Sequence, residues 1–283
     1  MQNEHKLIDG KAIAFRLQEE LAQKVSIMKK NPVLVVIVVG DNPASAIYVR
    51  NKQKAAQKVG IECKVLNFSD MISQGELEKV IYELNSDKNV NGIIIQQPLP
   101  KHLDVLKLLK LLSSNKDVDG FSPLNLGLLM TGSSQAILAA TPKGIMYLLQ
   151  ETGVKLVGKQ AVVIGRSNIV GKPMAQMLLN ADCTVTIAHS KTQNLADIVL
   201  GADIVVVACG VPRLVKAGWI KEGAIVIDVG INSVNGKLCG DVDFDAVKNK
   251  AAYITPVPGG VGPMTVTMLL QNTYDAAILQ NQK

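Results

Sequence analysis

The chain has 283 residues, enough for two domains of ordinary size. Hydrophobic residues make up 48% and charged residues 19%, which excludes a disordered chain and permits a sizeable core. Aromatic residues reach only 4% and the formal net charge of +6 is scattered, so neither a base-stacking platform nor a concentrated nucleic-acid patch is indicated.

The start, Met1 to Lys6, is polar and lacks a secretory apolar region. Residues 9–30 read as a helix, with Asp9 as cap and Ile13, Leu17, Leu21, Val25 and Met28 recurring every three or four positions. Pro32 ends it. Val33–Val39 is an unbroken apolar run, the pattern of a strand covered on both faces and far too short to cross a bilayer. Residues 45–59 read as a helix stopped by Gly60, residues 61–68 as a strand, 75–84 as a helix, 92–95 as a strand and 103–112 as a helix. This βα alternation predicts a mostly parallel sheet.

Residues 115–135 break the pattern with Asp-Gly, Ser-Pro and Thr-Gly-Ser-Ser, and read as an irregular functional region and boundary. A second series follows: helices over 142–150, 172–180 and 195–200, and strands over 161–164, 184–188, 204–208, 225–229 and 253–255. A long helix from Thr265 to about Leu279 closes the chain. The expected fold class is therefore α/β, with two α/β domains, the second a Rossmann-like doubly wound dinucleotide-binding domain. The expected division is residues 1–140, completed by a C-terminal helix over 263–283, and residues 141–262.

The four cysteines, Cys63, Cys183, Cys209 and Cys239, form no Cys-x-x-Cys and mostly adjoin apolar strands, which predicts buried thiols in a reducing compartment. His5, His102 and His189 have no ligand spacing, and no metal site is expected. The expected location is the cytoplasm, with no membrane partner.

The strand at 161–164 runs into Gly165-Arg166-Ser167-Asn168-Ile169-Val170-Gly171-Lys172-Pro173. A glycine-bearing turn at a helix N-terminus suits phosphate, because free backbone N–H groups and the helix dipole point at it. It is not a Walker A loop: five residues separate the glycines, and Pro173 follows Lys172. The strand over 184–188 ends in Ala188-His189-Ser190-Lys191, without the carboxylate that would hold a ribose 2′-hydroxyl. Arg166 and Ser190 suit a 2′-phosphate instead, which favours NADP over NAD.

In the first domain, Tyr48 and Lys52 lie four apart and share a helix face. Gln96 directly follows the strand over 92–95, where parallel sheets present ligand-contacting residues. Pro256-Val257-Pro258-Gly259-Gly260-Val261-Gly262-Pro263-Met264-Thr265 combines fixed and permissive backbone residues and reads as a shaped loop against a ligand.

Tyr48-Val49-x-x-Lys52, Gln96-x-Pro98-Leu99-Pro100, Lys116-Asp117-Val118-Asp119-Gly120, Gly165-Arg166-Ser167 and Pro256–Thr265 together resemble the bifunctional methylenetetrahydrofolate dehydrogenase/cyclohydrolases, in order from about residue 7 to 275. One departure is Ala139-Ala140, where that family usually has Pro-Cys. The resemblance implies NADP-dependent oxidation of 5,10-methylenetetrahydrofolate, then hydrolysis of the methenyl product to 10-formyltetrahydrofolate. This is one-carbon chemistry of the kind purine biosynthesis draws on. It also implies a homodimer.

The roles implied are as follows. Lys52 is the central catalytic residue, activating or positioning water. Gln96 orients Lys52. Tyr48 stacks on or bonds the folate, and Asp119 grips the pterin. Pro258, Gly259, Gly260, Val261 and Gly262 border the folate. Gly165, Arg166, Ser167, Ser190 and Ile231 hold NADP, with Thr141 close by. Two alternatives stand beside this reading. A monofunctional methylenetetrahydrofolate dehydrogenase has no need of the Tyr48, Lys52 and Gln96 set, and neither does a non-catalytic nucleotide sensor.

Overall fold

Seven consecutive apolar residues, Val33–Val39, make a strand that has to be buried on both faces, and they form the middle strand of a three-stranded parallel sheet. The computed structural model describes residues 6–281. In chain order the first half holds β1 (Lys6–Leu7), α1 (Gly10–Ser26), β2 (Val33–Val39), α2 (Pro43–Lys58), β3 (Glu62–Phe68), α3 (Gln74–Ser86), β4 (Gly92–Ile95), α4 (Val105–Leu111) and α5 (Pro123–Met130). The second half holds α6 (Ala140–Glu151), β5 (Gln160–Ile164), α7 (Gly171–Asn180), β6 (Thr184–Ala188), α8 (Leu195–Leu200), β7 (Ile204–Val207), β8 (Ile225–Asp228), β9 (Asn232–Val234), β10 (Lys237–Cys239), α9 (Phe244–Val247), β11 (Tyr253–Ile254) and α10 (Val261–Asn281).

Packing divides the described chain into two compact units, residues 15–140 with 266–281, and residues 6–14 with 141–265. The sequence reading placed residues 1–14 with the first domain. The described part groups with the second, because β1 pairs in parallel with β11 and Ile8 N–H donates to Ile254 O at 2.9 Å.

The first unit is built on the sheet β3-β2-β4, all parallel. Its core gathers Val35, Ile37, Ile93 and Ile95 from the strands with Leu77 and Ile81 of α3 and Leu108 of α4. Local signals set the helix limits. Ser73 and Glu76 form a reciprocal capping box at α3, and Asp104 caps α4. Gly60 takes φ +80° after α2, the left-handed value that stops a helix. Helix α1 ends at Ser26, four residues short of the expected limit. Ser26 Oγ donates to Gln23 O and Met28 N–H reaches back three residues to Val25 O, which tightens the last turn. Along α10, Asn272 Nδ2 donates to Val118 O and Leu138 O, both at 2.9 Å, and Gln280 Nε2 donates to Asn91 O and Asn115 O.

The stretch 115–135, expected to be irregular, contains α5. Ser122 caps it through Asn125 N–H, and Pro123 occupies the first turn, where a missing N–H costs nothing. Ahead of it, Lys116 is buried, and its ammonium donates to Leu84 O (2.9 Å), Asn85 O (2.9 Å) and Asp87 O (2.7 Å) at the C-terminal end of α3. Desolvation lowers the Lys116 pKa, with Asp87 opposing. We expect Lys116→Met to lower the unfolding free energy by about 2–3 kcal/mol in a urea titration, since three carbonyls lose a charged donor. A loss under about 0.5 kcal/mol, the level of an ordinary surface change, would mean that water replaces it.

The second unit carries a six-stranded sheet, β1-β11-β8-β7-β5-β6, parallel throughout. From β5 the chain steps outward to β6 and then returns to the other side of β5 as β7. That reversal is the switch point of a doubly wound Rossmann-like fold, and ligands bind beyond the carboxyl ends of the strands there. A separate antiparallel hairpin, β9-β10, was not anticipated. Its turn residues Asn235 and Gly236 both have positive φ, +51° and +74°, the geometry that Asn-Gly favours. The four cysteines are free thiols, but only Cys183 is fully buried, and the other three are half-buried.

Candidate active site

In the first unit, the turn of α2 that carries Tyr48 and Lys52 lies over the sheet. Tyr48 remains 44% exposed, whereas Lys52 is buried at 9%. The Lys52 ammonium donates to Gln96 Oε1 at 3.0 Å. Gln96 is the first residue after β4, and its own amide donates to Gln97 O at 2.8 Å, which fixes the Oε1 face toward Lys52. The Gln97–Pro98 peptide that follows is cis.

Asp119 comes from the loop after the buried bridge between Ile93 and Asp117. Burial raises its pKa above the usual carboxylate range, the Lys52 charge opposes the rise, and Asp117 adds to it. Lys52 therefore bonds one polar group, the Gln96 amide, and acts through its charge on a second from another element, the Asp119 carboxyl.

Asp117, quoted in the motif but given no role, organises this loop. Its carboxylate accepts from Gly120 N–H (3.1 Å), Phe121 N–H (3.2 Å), Ser122 N–H (2.7 Å) and Asn125 Nδ2 (2.9 Å). Gly120 sits at φ +72°, and a Cβ there would overlap the backbone of residues 137–139. The Lys116-Asp117-Val118-Asp119-Gly120 motif thus divides its labour: one residue ties α3, one holds the loop, Val118 fills the core against Gly92, and Asp119 is left to present its carboxyl.

The remaining sequence-predicted residues lie in the second unit. Gly165 follows β5 at φ +130°, and a side chain there would overlap the Ala208 carbonyl beyond β7. It therefore sits at the switch point. Arg166 and Ser167 are exposed beside it. Of the N–H groups expected to be free along this turn, three at its helix end are engaged. Ser167 Oγ accepts from Val170 N–H (3.1 Å) and Gly171 N–H (3.3 Å), and Ser167 O accepts from Lys172 N–H (3.0 Å). Pro173 has no N–H to offer. Ser167 thus holds the last N–H groups before and at the start of α7, and the exposed side chains of Arg166 and Ser167 stand beside them.

Ser190 is exposed just past β6. Because Ile164 pairs with Ala188, Arg166 and Ser190 each stand two residues beyond the same rung of the sheet. Ile231 is 50% exposed beyond β8. Thr141 lies near the start of α6 with Oγ1 3.0 Å from Thr265 Oγ1.

In the glycine-rich stretch, Val257–Pro258 is cis and Pro258 is exposed. Gly259 has φ +105°, and its carbonyl accepts from Lys11 N–H at 2.9 Å. Gly260 is buried so closely against Gly10 that a Cβ on Gly10 would overlap the Gly260 carbonyl. The helix α10 begins at Val261, not Thr265, so Val261 and Gly262 belong to its first turn.

Among the described residues, no group of three or more His, Cys, Asp or Glu is arranged to hold a metal ion. No helix among them is long and apolar enough to cross a membrane.

Known proteins align with both halves of this geometry. Residues 8–119 match the tetrahydrofolate dehydrogenase/cyclohydrolase catalytic domain, and residues 139–281 match the NAD(P)-binding domain of the same enzymes. The chain is 53% identical to bifunctional protein FolD of Streptococcus thermophilus over 277 residues, covering 96% of this chain and 97% of that protein. It superposes on a bifunctional FolD methylenetetrahydrofolate dehydrogenase/cyclohydrolase from Campylobacter jejuni with a TM-score of 0.96 at 48% identity, covering 99% of this chain and 100% of that one. A Trypanosoma brucei methylenetetrahydrofolate dehydrogenase-cyclohydrolase, solved with NADP and an inhibitor, gives a TM-score of 0.95 at 41% identity over 99% of both chains.

Proposed function

The chain belongs to the tetrahydrofolate dehydrogenase/cyclohydrolase family, and on that premise we propose that it oxidises 5,10-methylenetetrahydrofolate with NADP and hydrolyses the methenyl product to 10-formyltetrahydrofolate. The observation that carries the two-step reading is the buried Lys52 ammonium held by Gln96, with the Asp119 carboxyl in electrostatic reach. An enzyme that only moved hydride would need no such group.

In the first step the folate nitrogen lone pair drives hydride off the bridging carbon, leaving a methenyl cation. NADP supplies the hydride acceptor when bound. The protein's contribution is to hold the reacting carbons in line. Arg166 and Ser190 would take the 2′-phosphate, and no carboxylate at the end of β6 stands to repel it. Gly165, Ser167, Thr141 and Ile231 would complete the cofactor contacts.

In the second step water adds to the bridging carbon, one carbon–nitrogen bond opens, and the formyl group stays on the other nitrogen. Lys52 would hold that water against the bridging carbon, hand a proton from its ammonium to the departing nitrogen as the carbon–nitrogen bond opens, and regain one from the added water, with Gln96 fixing its position. Asp119 would grip the pterin donor pair, Tyr48 would pack on the folate, and Pro258, Gly259, Gly260, Val261 and Gly262 would border it. The division at residues 140 and 262, with α10 returning to the catalytic part, belongs to the same reading.

We further infer a cytoplasmic homodimer. Four free thiols suit a reducing compartment. Strand β3 stands at one edge of its sheet, the position where a second copy adds without disturbing the core.

Purified protein with methylenetetrahydrofolate and NADP, followed for NADPH and methenyl-folate together, tests the reading. NADPH rising while methenyl-folate stays low is expected. Methenyl-folate accumulating in step with NADPH would reduce the protein to a dehydrogenase.

A further inference from the structure

The second unit contains a buried pair of carboxylates that the proposed chemistry does not use. Asp228 ends β8 and Asp241 follows β10, and both are buried, at 3% and 0%. Asp241 accepts from Cys209 N–H and Gly210 N–H, both at 2.8 Å, and from Asn232 Nδ2 at 2.8 Å. Asp228 accepts from Gly230 N–H (3.0 Å), Asp241 N–H (2.9 Å) and Val242 N–H (2.9 Å), while its own N–H donates to Thr255 Oγ1 at 2.8 Å. The fit is close on both sides. A Cβ on Gly230 would overlap the Asp241 carboxylate, and one on Gly240 would overlap the Asp228 carboxylate.

Burying two like charges side by side is costly. Desolvation pushes Asp228 up to about 6, opposed by its three backbone donors and assisted by the Asp241 charge. The cost is borne where it fixes three loops at once: the turn after β7, the turn after β8 that carries Ile231, and the return from β10. In a doubly wound sheet the adenosine half of a dinucleotide lies over the first two strands, here β5 and β6, and the other half lies over the strands beyond the switch point. Those are β7 and β8, the two whose carboxyl ends this pair clamps.

We propose that Asp241, supported by Asp228, is a positioning residue for the nicotinamide half of the cofactor: it holds the Cys209–Gly210 backbone and Asn232 in the arrangement that half requires, and has no part in binding the adenosine half. This rests on the NADP-dependent reading above.

Three measurements on Asp241→Ala test it: the KM for NADP in the oxidation, the Kd for 2′,5′-ADP as a probe of the adenosine half, and hydrolysis of preformed methenyltetrahydrofolate without NADP. We expect the NADP KM to rise about tenfold or more, the 2′,5′-ADP Kd to stay within about twofold, and hydrolysis to remain near wild type. Asp241→Asn keeps one acceptor for the two N–H groups, and Asn232 can turn its amide to match, so this variant recovers most of the loss. Weakening of the ADP probe by the same factor as NADP, or an unchanged NADP KM, overturns the proposal. If Asp241→Ala does not fold, Asn232→Ala decides: a raised NADP KM with an unchanged ADP Kd supports the clamp, and an unchanged KM overturns it. Wild-type protein that oxidises nothing with NADP would instead refute the function reading, an outcome separate from all of these.

Discussion

Lys52→Met is expected to abolish hydrolysis of methenyltetrahydrofolate, lowering the rate by roughly 10²–10⁴, the range contributed by a positioned acid–base group. Methionine is unbranched and of similar length, so it takes up most of the space of the buried Lys52 side chain. What it removes is the ammonium that donates to Gln96 Oε1 and whose charge favours the ionised Asp119 carboxyl. The Gln96 amide is still held by the Gln97 carbonyl, so the rest of the site keeps its shape. NADP binding lies with residues of the other unit and should be unaffected. The check is the decay of methenyl-folate absorbance with the variant, beside a cofactor titration on the same preparation. Full hydrolysis in a variant that still binds NADP would remove Lys52 from the mechanism.

Much of this fold was legible because local rules and tertiary demands agree. Strands β2, β4 and β6 and helix α8 appear at their expected limits, since apolar runs or flanking breakers leave them no other register. The failures have local causes too. Helix α5 carries Gly127 and is only eight residues long, so its periodicity was weak, yet Ser122-Pro123 was a readable start signal. The β9-β10 hairpin was announced by Asn235-Gly236 alone, between two strands of three residues.

The site divides differently. A shared face for Tyr48 and Lys52 follows from spacing, and Gln96 from its place at a strand end, but the contact between Lys52 and Gln96 joins residues 44 apart in sequence. No periodicity encodes such a pair, and only the resemblance linked them. The same limit hid Asp228 and Asp241. Asp228 lies within an apolar run and Asp241 follows a glycine, so each looks like an ordinary carboxylate, and their burial depends on three loops meeting. The turn's composition points to phosphate on free N–H groups, but Ser167 engages those of Val170, Gly171 and Lys172, which shifts more of the turn's specificity to side chains.

That shift makes Arg166→Ala the sharper test of the cofactor. Arg166 and Ser190 stand two residues beyond the paired Ile164 and Ala188, on adjacent parallel strands, so both project from one edge. A guanidinium there can meet a 2′-phosphate through two charge-assisted bonds, whereas a ribose hydroxyl offers it little. Removing it should weaken NADP binding by about 10- to 100-fold, the equivalent of the 1.5–3 kcal/mol of hydrogen bonds to a charged group. NAD binding should change by less than about threefold, about 0.6 kcal/mol. The turn itself should survive, because its shape rests on Gly165, Gly171 and the Ser167 hydrogen bonds, not on the arginine. The measurement is the KM for each cofactor in wild type and variant at fixed salt, since a phosphate contact is screened as ionic strength rises. A selective loss for NADP assigns Arg166 to the 2′-phosphate. Equal losses for both cofactors would place it on the pyrophosphate or in the turn's framework, and the preference for NADP would then need another source at the end of β6.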